Sequence, residues 1–447
     1  MKALRIVLMT HGTRGDVQPL VALARELVRR GHTPVLAVPA GSAGMVRAAG
    51  LPLERLPVDW REYLSRPAPE RSWVTSGDSV EFLAGLRKVM AAHTADIART
   101  LYRACEGADL IVSGSLTEDL AVLIAEARRI PLALLHLFPA RANHAVPNPF
   151  VTSEVSDVPG ANWQTHVDYE NASWELRREG VNKLRAAFGL APTDLSTPLR
   201  ARMLGALEIQ AYSRLMVPGV EWPSYRPFAG WLEMAGQDRA LAAEHGLDPG
   251  LENWLDAGDA PAYFGFGSMP VADPAGVLAT IERATGELGL RAVVTAGWAG
   301  LPADAVGDPS RIRVVDSADH SALLPRCRLA VYHGGSGTTG SVIRAGIPAL
   351  VAAVSLDQPM WGELVRRRGV GLHLPLHGLD AERLAGALRR LREPGPVQAA
   401  ADLGRAVRAE GDGVARAADL ALAFAHRGRK PRVLARTSGL WRPVRAN

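Results

Sequence analysis

The chain has 447 residues, of which 47% are hydrophobic and 22% are charged, a composition that is typical of globular proteins and excludes a disordered chain. Its two cysteines, Cys105 and Cys327, are too few for a disulfide framework and favour a reducing compartment, so we expect a cytoplasmic location. The net charge is +5, but residues 427–447 alone carry seven Lys or Arg and no acid, which leaves −2 on the remainder and argues against nucleic acid as a partner.

The N-terminal half predicts a domain of alternating strands and helices. Apolar runs typical of buried parallel strands alternate with segments of helical periodicity, the pattern of a doubly wound α/β fold. The predicted strands are 4–10, 33–39, 53–58, 108–114 and 132–138, and the predicted helices are 17–28, 41–49, 79–104 and 118–129. Two stretches without clean periodicity, 59–78 and 139–180, are predicted to be functional loops at one end of the sheet.

A second alternating unit follows a segment rich in proline and tryptophan. Its predicted strands are 261–268, 291–297, 311–317, 329–335 and 348–354, and its predicted helices are 274–289, 320–326, 338–345 and 358–368. We therefore predict an N-terminal domain over 1–222, a linker over 223–240, a C-terminal domain over 241–411, a last helix over 412–427 and a basic tail over 428–447. We expect the tail to be either a solvated extension or a basic arm that binds an anionic membrane surface or partner.

The stretch HGGSGTT, residues 333–339, comes directly after a predicted buried strand and before a helix. Glycines let a ligand approach the backbone, and a helix N-terminus offers unpaired N–H groups with a partial positive charge. The stretch therefore predicts a phosphate or pyrophosphate site. It does not contain the P-loop pattern, so an ATP-type site of that kind is disfavoured. Asp357 and Gln358 follow the next strand and offer hydrogen bonds to sugar hydroxyls.

Several motifs in this order resemble one family. They are THGTRGDVQPLVALARELVRRGH (10–32), FGFGSM (264–269), SADHSALLPRC (317–327), HGGSGTT (333–339), RAGIP (344–348) and DQPMWG (357–362). Together they resemble the nucleotide-sugar-dependent GT-B glycosyltransferases, and most closely the branch of sterol, macrolide and glycopeptide-antibiotic glycosyltransferases. The resemblance covers both halves of the chain. It implies two Rossmann-like domains that face each other across a cleft, with the last helix crossing back to the N-terminal domain.

The resemblance also implies roles for individual residues. The C-terminal domain would bind the donor and the N-terminal domain the acceptor, for which the aromatic and polar composition of the sequence separately suggests Phe138 and Asn143. The implied donor-binding residues are Thr13, Arg14, Gly267, Ser268, Trp298, Ser317, His320, His333, Gly335, Ser336, Gly337, Thr338, Asp357 and Gln358. Tyr332 stands where a second histidine is common in the family.

The implied reaction is transfer of a sugar from a UDP- or dTDP-sugar to a hydroxyl group, with inversion at the anomeric carbon. Asp16 matches the family's proposed base, and His11 is the rival because its imidazole has a more suitable pKa. The position of Asp16 at a helix N-terminus predicts a lowered pKa for its carboxyl. No D-x-D pair occurs in the sequence, so we expect a metal-independent hexosyltransferase without a cofactor.

The acceptor is predicted from the aromatic residues of 59–80 and 139–180, which suit a large, mostly apolar molecule with a few hydroxyls. A polyketide, macrolide or similar natural product is the first expectation, and a sterol or other lipid is the second. A catalytically silent auxiliary protein and a nucleotide-sugar epimerase are alternatives on the same architecture. The sequence leaves open the sugar, the choice between UDP and dTDP, the acceptor and the oligomeric state.

Overall fold

The computed structural model describes residues 2–64, 72–75, 79–234, 236, 239, 246–267, 271, 273–297, 301 and 306–427. Within this part of the chain the strands form two parallel sheets of six strands each. Helices cover both faces of each sheet, and every face has its own cluster of buried apolar side chains. The predicted fold class, two doubly wound α/β domains, is therefore confirmed.

The N-terminal sheet is apolar on both faces because helices cover both of them. On β1 the side chains of Ile6 and Leu8 join one core cluster, whereas Val7 and Met9 join the other. A strand that is buried on both sides needs an apolar residue at every position, which explains the continuous run in the sequence. The strands are β1 (Arg5–Met9), β2 (Thr33–Pro39), β3 (Leu53–Leu56), β4 (Leu110–Gly114), β5 (Leu132–His136) and β6 (Leu207–Gln210), in the spatial order β3-β2-β1-β4-β5-β6.

The helices of the N-terminal domain pack on these faces, and α1 begins directly after the loop that follows β1. The helices are α1 (Arg14–Arg29), α2 (Ala43–Ala48), α3 (Trp60–Leu64), α4 (Ser72–Thr75), α5 (Ser79–Ala104), α6 (Glu118–Arg128), α7 (Ala161–Ala187) and α8 (Thr197–Met203).

The C-terminal domain repeats the same architecture. Its strands are β7 (Ala262–Gly265), β8 (Ala292–Thr295), β9 (Ile312–Val315), β10 (Leu329–Tyr332), β11 (Ala349–Ala353) and β12 (Gly371–Pro375), in the order β12-β11-β10-β7-β8-β9. Its helices are α9 (Pro249–Asp256), α10 (Pro274–Glu287), α11 (His320–Leu323), α12 (Ser336–Ala345), α13 (Gln358–Arg367), α14 (Ala381–Leu391) and α15 (Pro394–Ala409), followed by α16 (Gly413–His426).

Helix α16 packs on the N-terminal domain and not on the domain that precedes it in the chain. Arg30, next to the end of α1, donates a hydrogen bond to the carbonyl of Ala415 at 3.0 Å. It also pairs with Asp419. Ala417 and Ala421 are buried in the same cluster as the side chains of α1. The predicted tail 428–447 and the linker positions 235, 237–238 and 240 lie outside the described residues.

Several elements differ from the expectations, among them the short helices α3 and α4, which lie within the predicted loop 59–78. Strands β6 and β12 were not predicted, and each lies at an edge of its sheet. The prediction of a loop over 139–180 is wrong from residue 161 onward, where α7 begins. Helix α7 turns Asn162, His166 and Arg185 inward together with two apolar residues, so the apolar periodicity that identifies a helix is missing. None of the described helices is both long enough and apolar enough to span a bilayer.

Candidate functional site

Each sheet reverses its strand order at one point, and the loops at these two points carry most of the predicted site residues. The N-terminal sheet reverses between β1 and β4, and the C-terminal sheet reverses between β7 and β10. Ligands of open α/β sheets bind at such points, outside the carboxyl ends of the strands. The loop after β1 and the first turn of α1 supply residues 10–16, the loop after β7 supplies Gly267, and the loop after β10 with the first turn of α12 supplies residues 333–338.

Electrostatic effects between residues of different domains show that the loops of the two domains lie close together across the interdomain cleft. The negative charge of Asp357, in the C-terminal domain, contributes to the raised pKa of Asp16. Across the same cleft, the positive charge of Arg14 helps to lower the pKa of His320 in the C-terminal domain, and His333 lowers the pKa of His320 further. The structure therefore gathers five of the predicted residues, two from the first domain and three from the second, around one space.

The imidazole of His333 is enclosed by glycines. A Cβ atom at Gly267 would lie 2.7 Å from Cε1 of His333, and one at Gly335 would lie 2.5 Å from Nε2. Gly334 has a φ of +93°, and a Cβ there would lie 2.9 Å from the carbonyl oxygen of Gln358. Burial lowers the pKa of His333 to about 4. The ring is therefore neutral at pH 7 and has one N–H to donate.

The loop ends at the N-terminus of α12, which is capped by none of the side chains that the structure describes. Gly335 is the N-cap residue and makes no side-chain capping hydrogen bond. The first main-chain N–H groups of a helix have no intrahelical acceptor, so those of Ser336, Gly337 and Thr338 point out of the helix end. Gly337 is exposed and Thr338 is partly exposed. The helix dipole adds a partial positive charge, and the arrangement suits a phosphate group.

Two hydroxyl groups of this loop are used by the protein itself. The Ser336 hydroxyl donates to the carbonyl of Leu137 at 2.7 Å and accepts from the indole N–H of Trp231 at 3.4 Å. The Thr339 hydroxyl donates to the carbonyl of Gly335 at 3.0 Å. Since each hydroxyl has a single proton, neither side chain has one left for an anion, and Ser336 offers a ligand its main-chain N–H.

Asp357 and Gln358 lie at the start of α13, directly after a residue in the left-handed conformation. Leu356 has a φ of 61°, an arrangement that costs about 1–3 kcal/mol and is concentrated at functional sites. The Gln358 side-chain carbonyl accepts from the N–H of Val354 at 2.9 Å and so holds the loop. Asp357 Oδ2 accepts from the indole N–H of Trp361 at 3.1 Å. Burial raises the pKa of Asp357 to about 6.

His320 lies on the side of the cleft that was predicted to bind the nucleotide. Its Nε2 is 2.8 Å from the hydroxyl of Tyr263, which is also 2.9 Å from the Thr295 hydroxyl. Burial, followed by the charges of Arg14 and Arg239, lowers the pKa of His320 to about 4. Ser317 is exposed just after β9. The predicted donor-binding residues Ser268 and Trp298 lie outside the described residues.

Asp16 lies in the first turn of α1, partly exposed to the cleft. Its Oδ2 accepts from the N–H of Thr13 at 3.0 Å. This bond lowers the pKa, as the sequence predicts, but burial and the charge of Asp357 outweigh it and raise the pKa to about 7. A Cβ at Gly12 would lie 2.2 Å from Oδ2 of Asp16 and 2.8 Å from Cδ1 of Leu116, so an exposed leucine lies beside the carboxylate.

His11 is buried and held in one tautomer. The indole N–H of Trp60 donates to Nδ1 of His11 at 3.2 Å. Burial, with a smaller contribution from His93, lowers the pKa of His11 to about 4. Because the ring is neutral and Nδ1 accepts a bond, the proton resides on Nε2. Nε2 is buried and has no hydrogen-bond partner among the described residues. In this tautomer the imidazole has no free lone pair to accept a proton.

The acceptor side contains an aromatic group and a polar loop. The rings of Phe138 and Phe150 meet edge to face with centroids 5.8 Å apart, and Phe150 stacks on Tyr169 at 5.1 Å. Asn143 is buried, its Oδ1 accepts from the N–H of Val146 at 2.8 Å, and its amide nitrogen donates to the carbonyl of Arg141 at 3.1 Å. The loop therefore already uses both ends of the Asn143 amide. The acceptor-binding role of Asn143 stays a prediction.

Sequence reasoning did not single out Trp361 and Tyr263, and it counted Trp60 only among the aromatic residues of 59–80 that were predicted to shape the acceptor pocket. Trp361 lies four residues after Asp357 on one helix, a spacing at which side chains meet, so the sequence contained a signal for that pair. Trp60 and Tyr263 reach His11 and His320 from distant parts of the chain. No local pattern identifies such partners.

Family models match both halves of the chain. Residues 6–147 match the glycosyltransferase family 28 N-terminal domain, and residues 292–411 match the C-terminal domain of the erythromycin biosynthesis protein CIII-like family. An uncharacterized glycosyltransferase of Mycobacterium tuberculosis is 34% identical over 95% of this chain and 100% of its own length. The sterol 3-beta-glucosyltransferase of Arabidopsis thaliana is 28% identical over 93% of this chain and 67% of its own length.

Solved structures share the two-domain fold. The calicheamicin glycosyltransferase CalG4 superposes with a TM-score of 0.69 at 20% identity, covering 96% of this chain and 100% of that one. The glycosyltransferase VinC, solved in complex with dTDP, superposes with a TM-score of 0.66 at 20% identity over 95% and 100% of the two chains. The chain therefore belongs to the GT-B glycosyltransferases and is related to the antibiotic and sterol glycosyltransferases.

Proposed function

We propose that the chain transfers a sugar from a nucleoside diphosphate sugar to a hydroxyl group of a hydrophobic natural product, with inversion at the anomeric carbon. One observation carries the proposal. An uncapped helix N-terminus, preceded by a glycine-enclosed histidine, lies across the cleft from a carboxyl group whose pKa is raised to about 7. The first feature suits a diphosphate, and the second suits proton transfer at neutral pH.

The leaving group would be stabilised by the C-terminal domain. As the bond between the anomeric carbon and the diphosphate oxygen breaks, its electron pair passes to the diphosphate. The main-chain N–H groups of residues 336–338 and the neutral imidazole of His333 lie at the loop where this charge develops. Each well-placed donor of this kind contributes about 2.7–4 kcal/mol to lowering the barrier. Asp357 would bind hydroxyls of the sugar.

Asp16 is the proposed base. The acceptor oxygen attacks the anomeric carbon on the face opposite the diphosphate, and its proton passes to the Asp16 carboxylate. A pKa of about 7 matches this task, since a base works best when its pKa is near the working pH. His11 is not proposed as the base, because its Nδ1 is occupied by Trp60 and its Nε2 carries the proton.

The acceptor is proposed from the apolar groups near the base. Leu116 is 45% exposed beside Asp16, and Phe138 with Phe150 and Tyr169 forms an aromatic group on the same domain. These favour a polyketide, macrolide or similar molecule. A sterol or other lipid is the second candidate, because a sterol 3-beta-glucosyltransferase is 28% identical over 93% of this chain.

The buried, unpaired Cys105 and Cys327 suit a reducing compartment such as the cytoplasm.

The test has two stages. Calorimetry with UDP and with dTDP measures the nucleotide affinity, and the dTDP complex of VinC makes dTDP the first choice. Incubation with the matching sugar donors, with and without a panel of polyketides, macrolides and sterols, then measures product by mass spectrometry. We expect acceptor-dependent release of nucleoside diphosphate. Binding of neither nucleotide would refute the proposal. Donor conversion to an isomer without acceptor would identify an epimerase, and nucleotide binding without turnover would identify a silent protein.

A further inference from the structure

Ser336 joins the loop proposed to bind the diphosphate to the acceptor side of the cleft. Its hydroxyl donates a 2.7 Å hydrogen bond to the carbonyl of Leu137. Ser336 is the first residue of α12 in the C-terminal domain, and Leu137 follows β5 in the N-terminal domain, directly before Phe138. The bond therefore spans the two domains. Ser336 is only 8% exposed, so water has little access to replace this partner.

Trp231 holds the Ser336 hydroxyl in this orientation. Its indole N–H lies 3.4 Å from the hydroxyl oxygen. The Trp231 ring is itself packed against α12, because a Cβ at Gly340 would lie 2.7 Å from the ring. Its centroid is 6.1 Å from that of Trp361. Because the Ser336 hydroxyl donates its one proton to the carbonyl of Leu137, the Ser336 side chain is arranged as a connection between the domains and not as a phosphate ligand.

We propose that Ser336 is a positioning residue that transmits nucleotide binding to the acceptor segment 137–150. The inference rests on the proposed function, since it requires a nucleoside diphosphate at the N-terminus of α12. A ligand that orders residues 333–338 also fixes the Ser336 hydroxyl and, through it, the Leu137 carbonyl. The acceptor segment then loses less conformational freedom when the acceptor binds. Coupling of this kind is reciprocal, so donor and acceptor strengthen each other's binding.

Hydrogen exchange on the full-length protein tests this link, with Ser336→Ala as the variant. Ser341→Ala is the matched control, because Ser341 lies on the same helix and donates to the carbonyl of Gly337 at 3.2 Å. Each protein is compared with and without saturating dTDP or UDP. We expect the nucleotide to slow exchange of residues 333–340 in all three proteins. In the wild type and the control only, the nucleotide should also slow exchange of residues 137–150. The expected slowing is about two- to tenfold, the effect of one hydrogen bond on the exchange rate.

Calorimetry on the same proteins separates the outcomes. We expect Ser336→Ala to bind the nucleotide within about threefold of the wild type, because only the main chain of Ser336 meets the diphosphate. Equal protection of 137–150 in Ser336→Ala and the wild type would overturn the link. So would a loss of nucleotide affinity in Ser336→Ala with 137–150 still protected, which would make the hydroxyl a phosphate ligand. Absence of nucleotide binding to the wild type would overturn the proposed function as well.

Discussion

Trp60 donates its indole N–H to Nδ1 of His11, and this bond decides which nitrogen of the buried imidazole carries the proton. A histidine at this position resembles a catalytic base when only the sequence is considered, because its ordinary pKa suits proton transfer. The fold removes that role in two ways, since burial lowers the pKa to about 4 and Trp60 occupies the remaining lone pair. The same fold raises the pKa of Asp16 to about 7.

His11→Asn should retain activity within about tenfold of the wild type, because the asparagine carbonyl can replace Nδ1 as the acceptor for Trp60 and a neutral hydrogen bond contributes only about 0.5–1.5 kcal/mol. Turnover at saturating donor measures this effect. Nitrogen NMR of labelled histidine in the wild type should show the Nε2–H tautomer. A loss of activity as large as that of Asp16→Asn would mean that His11 is the base.

Asp16→Asn should reduce turnover by about 10²–10⁴-fold, the usual contribution of a general base, and leave nucleotide affinity unchanged. Asp96→Asn is the control, since Asp96 is an exposed carboxylate that pairs with Arg99 on α5. Steady-state kinetics and calorimetry measure the two quantities. Near-normal turnover in Asp16→Asn would refute the assignment.

The same Asp16→Asn variant should be more heat-stable than the wild type at pH 8. The folded state holds the Asp16 proton up to a pKa of about 7, whereas the ordinary pKa of an aspartate carboxyl is 3.8. Between these values the unfolded chain binds fewer protons, so stability falls as pH rises through this window. Asparagine removes this cost, and Tm should rise at pH 8 with little change at pH 3.5. An equal change at both pH values would contradict the burial of this charge.

The pH dependence of kcat/KM should show an acid limb near pH 7, because only the ionised Asp16 accepts a proton. Asp357→Asn removes a negative charge that raises the pKa of Asp16, so the limb should move to lower pH as overall activity falls. Rate profiles between pH 5 and 9 measure the shift, and Asp380→Asn, which alters the N-cap of α14, provides the control. Movement of the limb to higher pH would contradict the arrangement.

Gly335→Ala should weaken nucleotide binding by displacing His333, since the new Cβ would lie 2.5 Å from Nε2. Gly335 has an ordinary φ of −62°, so backbone strain does not contribute. Gly286→Ala is the control, because a Cβ there meets nothing within 4 Å. In a His333→Ala background, Gly335→Ala should add little further loss in a double-mutant cycle. Full additivity would show that the glycine acts without the histidine.

The sequence predicted both sheets except for β6 and β12, and it predicted the strand-end loops at which the candidate site lies, because both depend on local patterns. The runs at 4–10 and 329–335 are apolar at nearly every position, as a strand covered on both faces requires. Helix α7 was missed because Asn162, His166 and Arg185 face inward, each with hydrogen-bond partners. Strand β6 was missed because the buried positions Glu208 and Gln210 are polar.

The electrostatics of the site could not be predicted from local sequence. The N-terminal position of Asp16 on α1 predicts a lowered pKa, and the Thr13 N–H does act in that direction. Burial and Asp357, which is 341 positions further along the chain, reverse the sign. The same applies to Ser336, which the resemblance implies as a donor-binding residue, because nothing in the local sequence predicts that its hydroxyl donates to Leu137 in the other domain.

The return of α16 to the N-terminal domain gives the molecule a second covalent crossing between its domains. The two crossings lie side by side, because a Cβ at Gly413 would lie 2.3 Å from the carbonyl oxygen of Trp231, and Arg416 donates to the carbonyl of Ala229 at 3.4 Å. Two bodies tied at one place retain rotation about that place and lose most sliding motions. We therefore expect this paired strap to limit the relative motion of the two domains mainly to rotation about it.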